Sequence, residues 1–398
     1  MNMNEPKLRF KADDGSEFPE WEEKTLGDIG TAKMCKRVLK EQTSEKGDVP
    51  FYKIGTFGGT PDAFISRELY EELKTKYSFP RKGNILLSAA GTIGRTVVYD
   101  GQDAFFQDSN IVWLDNDDSV LDGFLLQFYN KTSWDNLEGG TIKRLYNGLF
   151  LSKVIHVPSL PEQQKIAEFL STIDTVIEKQ KETVSAWEER KKGVMQKLFS
   201  QEIRFRADDG SEFPEWEEKK IGDLFYKVNE RNNGQFGKDK WISVAKMYYQ
   251  DEDKVTSNNI DTRTYVMRVG DMSFEGHPNK EFKYGRFVVN DIGDGIISEL
   301  FPIYRHKENY ILKYWKYAIQ VDSIMQKVYR KSITSSGSSS NKLDDDDFKR
   351  QSILVPCLAE QQKIADCLSS LDEVIEKQKA TLAAWEELKK GLLQQMFV

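Results

Sequence analysis

The sequence predicts an α+β chain in which two domains of mixed α/β character are separated by a pair of long antiparallel coiled-coil helices, arranged as a pseudo-twofold internal repeat. Three observations lead there. Leu160-Pro161-Glu162-Gln163-Gln164-Lys165-Ile166-Ala167 returns as Leu358-Ala359-Glu360-Gln361-Gln362-Lys363-Ile364-Ala365, and the likeness runs on to Phe199 and Phe397 with 26 of 40 positions identical. Residues 8–28 recur as residues 203–223, matching at 17 of 21 positions. Between these echoes, residues 29–157 and 224–355 share almost nothing. The chain repeats its frame and varies its contents.

The elements follow in chain order as domain 1–157 with leader 8–28, helix 158–200, domain 201–355 with leader 203–223, and helix 356–398. In the first domain Asn84–Ser88, Thr96–Tyr99 and Ser109–Leu114 are short β-prone runs separated by glycine-bearing turns, and Phe124–Trp134 reads as helical. The first long helix shows Ile166, Leu170, Ile173, Ile177, Val184, Trp187, Val194 and Leu198 on alternating steps of four and three, with Gln180 and Lys191 in the two gaps. A sustained repeat of this kind predicts helices wound on each other. Pro158 lies just upstream, and Ser159 with Glu162 fits a capping box. In the second domain Tyr284–Asn290 and Gly295–Ser298 are β-prone, Ile311–Val328 reads as one helix, and Ser335–Ser340 as a flexible loop. The second long helix repeats the pattern with Ile364, Leu368, Leu371, Ile375, Leu382, Trp385, Leu392 and Met396; Gln378 and Lys389 occupy the gaps and Cys357 stands at the cap. Gly193 and Gly391 sit inside the pattern at about 1 kcal/mol each, which predicts close contact or local fraying there. Each helix of roughly forty residues would be about 60 Å long. Pairing the two within one chain is the economical arrangement; an intermolecular coiled coil is the alternative.

Composition narrows the function. With 39% hydrophobic and 12% aromatic residues over 398 positions the chain can build more than one core. No apolar run reaches membrane-spanning length, the N-terminus lacks a secretory stretch, and Cys35, Cys357 and Cys367 show no pairing pattern, so a cytoplasmic protein with reduced thiols is expected. Three scattered histidines, His156, His277 and His306, speak against a metal site or a histidine triad, and no cofactor is expected. The net charge of −7 argues against a polyanionic partner until its distribution is read. Residues 1–28 sum to −4 and residues 203–223 to −3, whereas 29–157 balance at zero and 224–355 carry +3. The acid lies in the frame, and the variable domains are free to present basic faces.

Pro-Glu-Gln-x-x-Ile-Ala-x-x-Leu-x-x-x-Asp, running from Pro161 to Asp174 and repeated from Leu358 to Asp372 with Ala359 in the proline position, resembles the conserved helix of a type I restriction–modification specificity (S) subunit. The Phe-Pro-x-Trp segments at Phe18–Trp21 and Phe213–Trp216, each followed by Gly-Asp, resemble the start of that family's target recognition domains, as does Gly83–Ser88 with Gly91-Thr92-Ile93-Gly94. The second domain keeps Val269-Gly270-Asp271-Met272 but departs at Glu275-Gly276-His277-Pro278. The resemblance implies a subunit without chemistry of its own. Each recognition domain would read one half of a bipartite double-stranded DNA target, and the paired helices would set the gap. Two methyltransferase (modification) subunits would dock on the frame, restriction/translocase subunits could join, and adenine methylation and cleavage would reside in those partners. The repeat supports two copies of one partner independently, because two near-identical frames present two near-identical surfaces.

Base readout needs Arg, Lys, Asn, Gln and small hydroxyls placed by loops, and phosphate contacts need cations and backbone amides. The first-domain candidates are Tyr52, Lys53, Thr56, Thr92, Arg95, Gln107, Ser109 and Asn110, with Thr141, Lys143 and Arg144 on a glycine-led segment that aligns with Gly337–Leu343. In the second domain they are Ser243, Lys246, His277, Lys280, Lys283, Arg286, Asn341 and Lys342. Each alone also fits an ordinary surface residue. Asp344–Asp347 is too acidic to face phosphate and is expected to be solvated or to cap the element starting near Phe348. Trp187 and Trp385 read as core knobs, Gln180, Gln378, Lys191 and Lys389 as register-setting, and the charged faces Glu188–Lys192 and Glu386–Lys390 as the repeated docking surface. Two rivals remain. An enzyme lacks support: there is no Gly-x-x-x-x-Gly-Lys-Ser/Thr, no Asn-Pro-Pro-Tyr/Phe and no Gly-x-Gly-x-x-Gly after a strand. A coiled-coil scaffold carrying two protein-binding domains would differ by its weak dependence on salt.

Overall fold

The computed structural model describes residues 6–134, 144–278, 282–334 and 340–398. The candidates Thr141, Lys143 and Lys280, and the stretch Ser335–Ser339, lie outside them. The chain divides into two compact units, Met1–Glu182 with Ala380–Val398, and Thr183–Lys379. Each unit therefore holds the beginning of one long helix and the end of the other.

The first unit is built on a four-stranded antiparallel sheet in the order Gly30–Lys33, Ile111–Asn116, Ile85–Ser88, Thr96–Val98. Alternate side chains of a strand point to opposite faces. Ile85, Leu87, Val112 and Leu114 enter one core with Phe124 and Phe128, while Leu86, Ile111 and Trp113 enter a second with Phe51, Tyr70 and Phe105. Both faces are covered, which is why these strands read as unbroken apolar runs with no visible alternation. Helix Asp122–Lys131 covers the first face, close to the Phe124–Trp134 expectation. On the other face lies helix Arg67–Lys76, capped by Ser66 Oγ accepting from Leu69 N at 3.2 Å.

The second unit repeats this strand order with unrelated residues: Phe225–Val228, Ile303–His306, Met272–Glu275, Arg286–Val289. Met272, Phe274, Phe287 and Tyr304 face the larger core, whereas Val228 and Ile303 face a smaller one with Met267 and Ile297. The single helix expected over Ile311–Val328 is two, Leu312–Ala318 and Asp322–Ser332. Ile319 and Val321 are both buried, and a two-residue spacing places both in one core only on non-helical backbone; Val321 is extended (ψ 108°). Asp344 caps helix Asp345–Arg350 by accepting from Asp347 N at 2.8 Å, the capping alternative of the sequence reading.

The repeated frame closes each unit in one way. Glu22–Thr25 pairs antiparallel with Val154–Val157, and Glu217–Lys220 with Ser352–Val355, so each leader is stitched to the strand that feeds a long helix. Glu162, fully buried, receives Arg9 Nε at 3.0 Å, Arg9 Nη2 at 2.8 Å and Trp21 Nε1 at 3.2 Å. Glu360 receives Arg204 and Trp216 in the same way, with the indole nitrogen at 3.0 Å. The expected capping box is thereby corrected: the Glu162 carboxylate is taken by the leader, and Ser159 Oγ is buried without a hydrogen bond.

The long helices run Leu160–Phe199 and Leu358–Met396 without interruption. In the first unit Ile166, Leu170, Ile173 and Ile177 share a core with Leu393, Met396 and Phe397 of the other helix. Lys389 pairs with Asp174, and Lys181 Nζ lies 3.9 Å from Glu386. As one number rises the other falls, so the helix segments are antiparallel and their pairing is intramolecular. In the second unit Lys191 pairs with Asp372 at 2.5 Å and Lys379 with Glu188 at 3.0 Å, in the same sense. Lys191 and Lys389 thus set register, as expected. Gly193 and Gly391 differ from expectation: neither position frays, and a Cβ at either would meet nothing beyond its own helix. Among the described residues no helix is long and apolar enough to cross a membrane.

Candidate nucleic-acid interface

In the first domain, three loops gather at one end of the central sheet. The hairpin between Ile85–Ser88 and Thr96–Val98 is tied by Ser88, whose Oγ donates to Thr92 O at 2.5 Å and accepts from Arg95 N at 2.8 Å. Gly94 adopts φ +87°, and the Trp134 ring lies 2.3 Å from where a Cβ would stand, so this position admits only glycine. Arg95 Nη1 reaches across to Phe57 O at 2.8 Å, fastening the hairpin to the loop after Val49–Tyr52. That loop is fastened in turn to the next: Gln107 Oε1 accepts from Ile54 N at 2.9 Å, and Tyr52 stacks on Phe106 at 5.9 Å. Ser109, at φ +54°, offers its carbonyl to Arg144 Nη2 at 2.7 Å, and Leu145 N bonds to Ala89 O at 2.9 Å. The structure therefore brings Tyr52, Lys53, Thr56, Thr92, Arg95, Gln107, Ser109, Asn110 and Arg144 into one patch. Thr92 and Arg95 are exposed and the others half-buried. Part of the set is committed internally, because Lys53 Nζ pairs with Asp62 at 2.8 Å and Thr56 Oγ1 accepts from Lys53 N at 3.2 Å.

The second domain assembles the hairpin, the loop beside it and the backbone clasp from different residues. Its hairpin joins Met272–Glu275 to Arg286–Val289. Arg286 donates to Ala245 O, the counterpart of the Arg95–Phe57 bond, and its guanidinium lies over Phe282 at 4.7 Å. This places Ser243 and Lys246 beside the hairpin. Asn341 N bonds to Gly276 O at 2.8 Å and its Nδ2 to Lys283 O at 3.4 Å, in the place of Leu145 against Ala89. A Cβ on Gly276 would lie 2.1 Å from Asn341 O, so the glycine permits this approach. His277 is exposed and set by Glu275, whose Oε1 lies 3.0 Å from His277 N and 2.5 Å from its Nδ1. Lys246, Lys283 and Lys342 are exposed. A cleft of about 440 Å³ opens between His277, Asn341 and Lys342 on one side and Lys227 and the turn at Leu300 on the other.

Sequence reasoning missed that turn. It also missed the ion pairs behind it, where Arg305 grips Asp271 at 2.7 Å and 2.8 Å. The Asp271 carboxylate raises the Arg305 pKa further above its ordinary value. The Arg9–Glu162–Trp21 cluster was missed too, although Arg204, Glu360 and Trp216 repeat all three of its members. Their recurrence at matched positions was the available signal.

A family model described as a type I restriction modification DNA specificity domain matches the chain twice, over residues 19–185 and 214–384. Over 152 residues the chain is 56% identical to a putative type I restriction enzyme specificity subunit of Haemophilus influenzae, covering 38% of this chain and 40% of that one. Over 238 residues it is 26% identical to the putative type I restriction enzyme MjaX specificity subunit of Methanocaldococcus jannaschii, covering 54% and 56%. The matches thus span about half the length of these curated relatives. The crystal structure of a type I restriction–modification S subunit from M. genitalium aligns with a TM-score of 0.56 at 17% identity over 99% of both chains, a likeness of fold.

Proposed function

The chain belongs to the type I restriction modification DNA specificity family, and from that premise we propose that each of its two domains reads one half of a bipartite DNA target while partner subunits supply the chemistry. The observation that carries this reading is the paired loop cluster: one strand order, one arginine clip and one backbone clasp, built twice from unlike residues. A constant scaffold with different surface groups suits one kind of ligand in two different sequences. The candidate residues are of the types that meet phosphates and base edges, and those described sit on loops and at strand ends. Two methyltransferase subunits would dock on the duplicated frame, whose clasped leaders and helix starts recur almost residue for residue. Restriction/translocase subunits would join that assembly.

The test is long-read mapping of methylated adenines in cells carrying the modification subunit with and without this chain. A split motif that appears only with the chain is expected. Replacing residues 29–157 by another recognition domain should change one half of it; a change in both halves would overturn the modular reading. Binding should also weaken steeply with salt, whereas a scaffold docking through apolar surfaces would bind almost independently of it.

A further inference from the structure

Leu300 is the most exposed of the large apolar side chains described, at 83%. Yet the turn that carries it is rigidly held. Glu299 is gripped by Arg231 Nη1 at 2.5 Å and Arg263 Nε at 3.2 Å, and its backbone N bonds to Arg263 O at 3.0 Å. On the other flank Phe301 packs on the smaller core, and Pro302 O accepts from Ser273 Oγ at 3.1 Å and Phe274 N at 3.3 Å. A side chain held out between anchored neighbours can meet a ligand with little further ordering cost.

Three further facts define what it meets. The turn leads into the second strand of the sheet order, Ile303–His306, as Gln107–Asn110 leads into Ile111–Asn116; it is the counterpart of a candidate reading loop. It lines the cleft that also holds His277, Asn229 and Asn341, which donate or accept hydrogen bonds, with Lys227 and Lys342 beside them. The acid of the turn, Glu299, is already neutralised by two arginines, so the cleft is left cationic and suited to a polyanion. A base edge that offers hydrogen-bonding atoms and one methyl group in the major groove is that of thymine.

We propose that Leu300 is a specificity-determining residue of the second domain that packs against a thymine methyl group in its half-site. This rests on the reading of the chain as a DNA specificity protein. The test uses the full chain assembled with its modification subunits and a duplex bearing the mapped motif. Thymines of the second half-site are replaced one at a time by uracil, which lacks only the methyl. One such replacement should weaken wild-type binding several-fold, and Leu300→Ala should lose on the order of tenfold on the thymine duplex. The two losses should not add: Leu300→Ala should bind the uracil and thymine duplexes alike, and Leu300→Met should keep most of the preference. The salt dependence should stay unchanged in Leu300→Ala, because no phosphate contact is removed. Full affinity of Leu300→Ala would overturn the inference, as would a loss that no uracil replacement reproduces. If wild-type complexes showed no preference for the mapped motif, the underlying reading would fail instead.

Discussion

Glu162 and Glu360 show how much of the repeat is internal structure. Each is a buried carboxylate answered by an arginine and an indole from a leader some 150 positions away in sequence. Removing one partner of a buried pair leaves the other charge uncompensated, at about 3 kcal/mol or more. Glu162→Ala should therefore destabilise the first unit by about that amount and Glu360→Ala the second, with Glu→Gln costing less because an acceptor remains; urea unfolding followed by fluorescence of Trp21 or Trp216 would show it, and an unmoved midpoint would refute it. Residue types were legible in the sequence, but their partners were not, since contact across such a separation depends on the fold. His306 gives a second residue-scale prediction. It is packed between Phe225 at 4.2 Å and Tyr310 at 3.8 Å, and burial pushes its pKa down to about 3 from the usual 6.5. The unfolded chain takes up this proton as pH falls below 6.5, while the folded chain resists until about 3. Folding stability from this group is thus complete above pH 6.5 and lost across that window. His306→Phe should show a smaller fall in Tm between pH 7.5 and 5 than the unsubstituted chain; an equal fall would place the acid sensitivity elsewhere.

At the scale of elements, the long helices were the most legible part, because a heptad pattern sustained over some forty residues admits few other structures. Their salt pairs were legible in part. Lys191 and Lys389 stood in heptad gaps, but their partners Asp372 and Asp174 are known only from the antiparallel register. Asp174 also accepts from Gln127 Nε2 at 3.0 Å and Asp372 from Tyr317 OH at 2.7 Å, so the motif's aspartate ties each long helix to a domain helix. The β-prone runs named from sequence coincide with strands to within about two residues, whereas Gly30–Lys33, Phe225–Val228, Met272–Glu275 and Ile303–His306 were not foreseen, and the break at Ile319–Val321 was missed because only the burial of both residues in one core shows that their spacing is non-helical. The glycines in the long helices yield a prediction of sign. With no neighbour beyond its own helix for a Cβ to meet, Gly193→Ala and Gly391→Ala should each stabilise the chain by about 1 kcal/mol. A rise in Tm for each variant in calorimetry would check this, and a fall would show that those positions need close backbone approach.

For the whole molecule, the frame and the variable domains separate two tasks. The frame residues satisfy one another, as the glutamate clasps and the register pairs do, so they can be repeated without constraining what the domains bind. The domains keep one strand order while their sequences diverge, because a sheet covered on both faces demands only apolar residues of fitting size along its strands and leaves the loop ends free. On the proposed function, the bases those loops would read were therefore illegible: they would depend on where side chains such as Arg95, His277 and Leu300 are held, and that is set by backbone clips no periodicity reveals. Each long helix continues from one unit into the other, and on the proposed function this makes helix length a determinant of the gap between the two half-sites. Inserting one matched heptad into both helices, near Val184 and Leu382, keeps the apolar seam in phase and adds about 10 Å to each. At about 3.4 Å per base pair, methylated-site mapping should show both half-sites unchanged and the gap widened by up to about three base pairs. An unaltered gap in a folded, active complex would mean that the helices hold the partners and that spacing is fixed elsewhere. Altered half-sites would mean that the helices bear on the reading loops themselves.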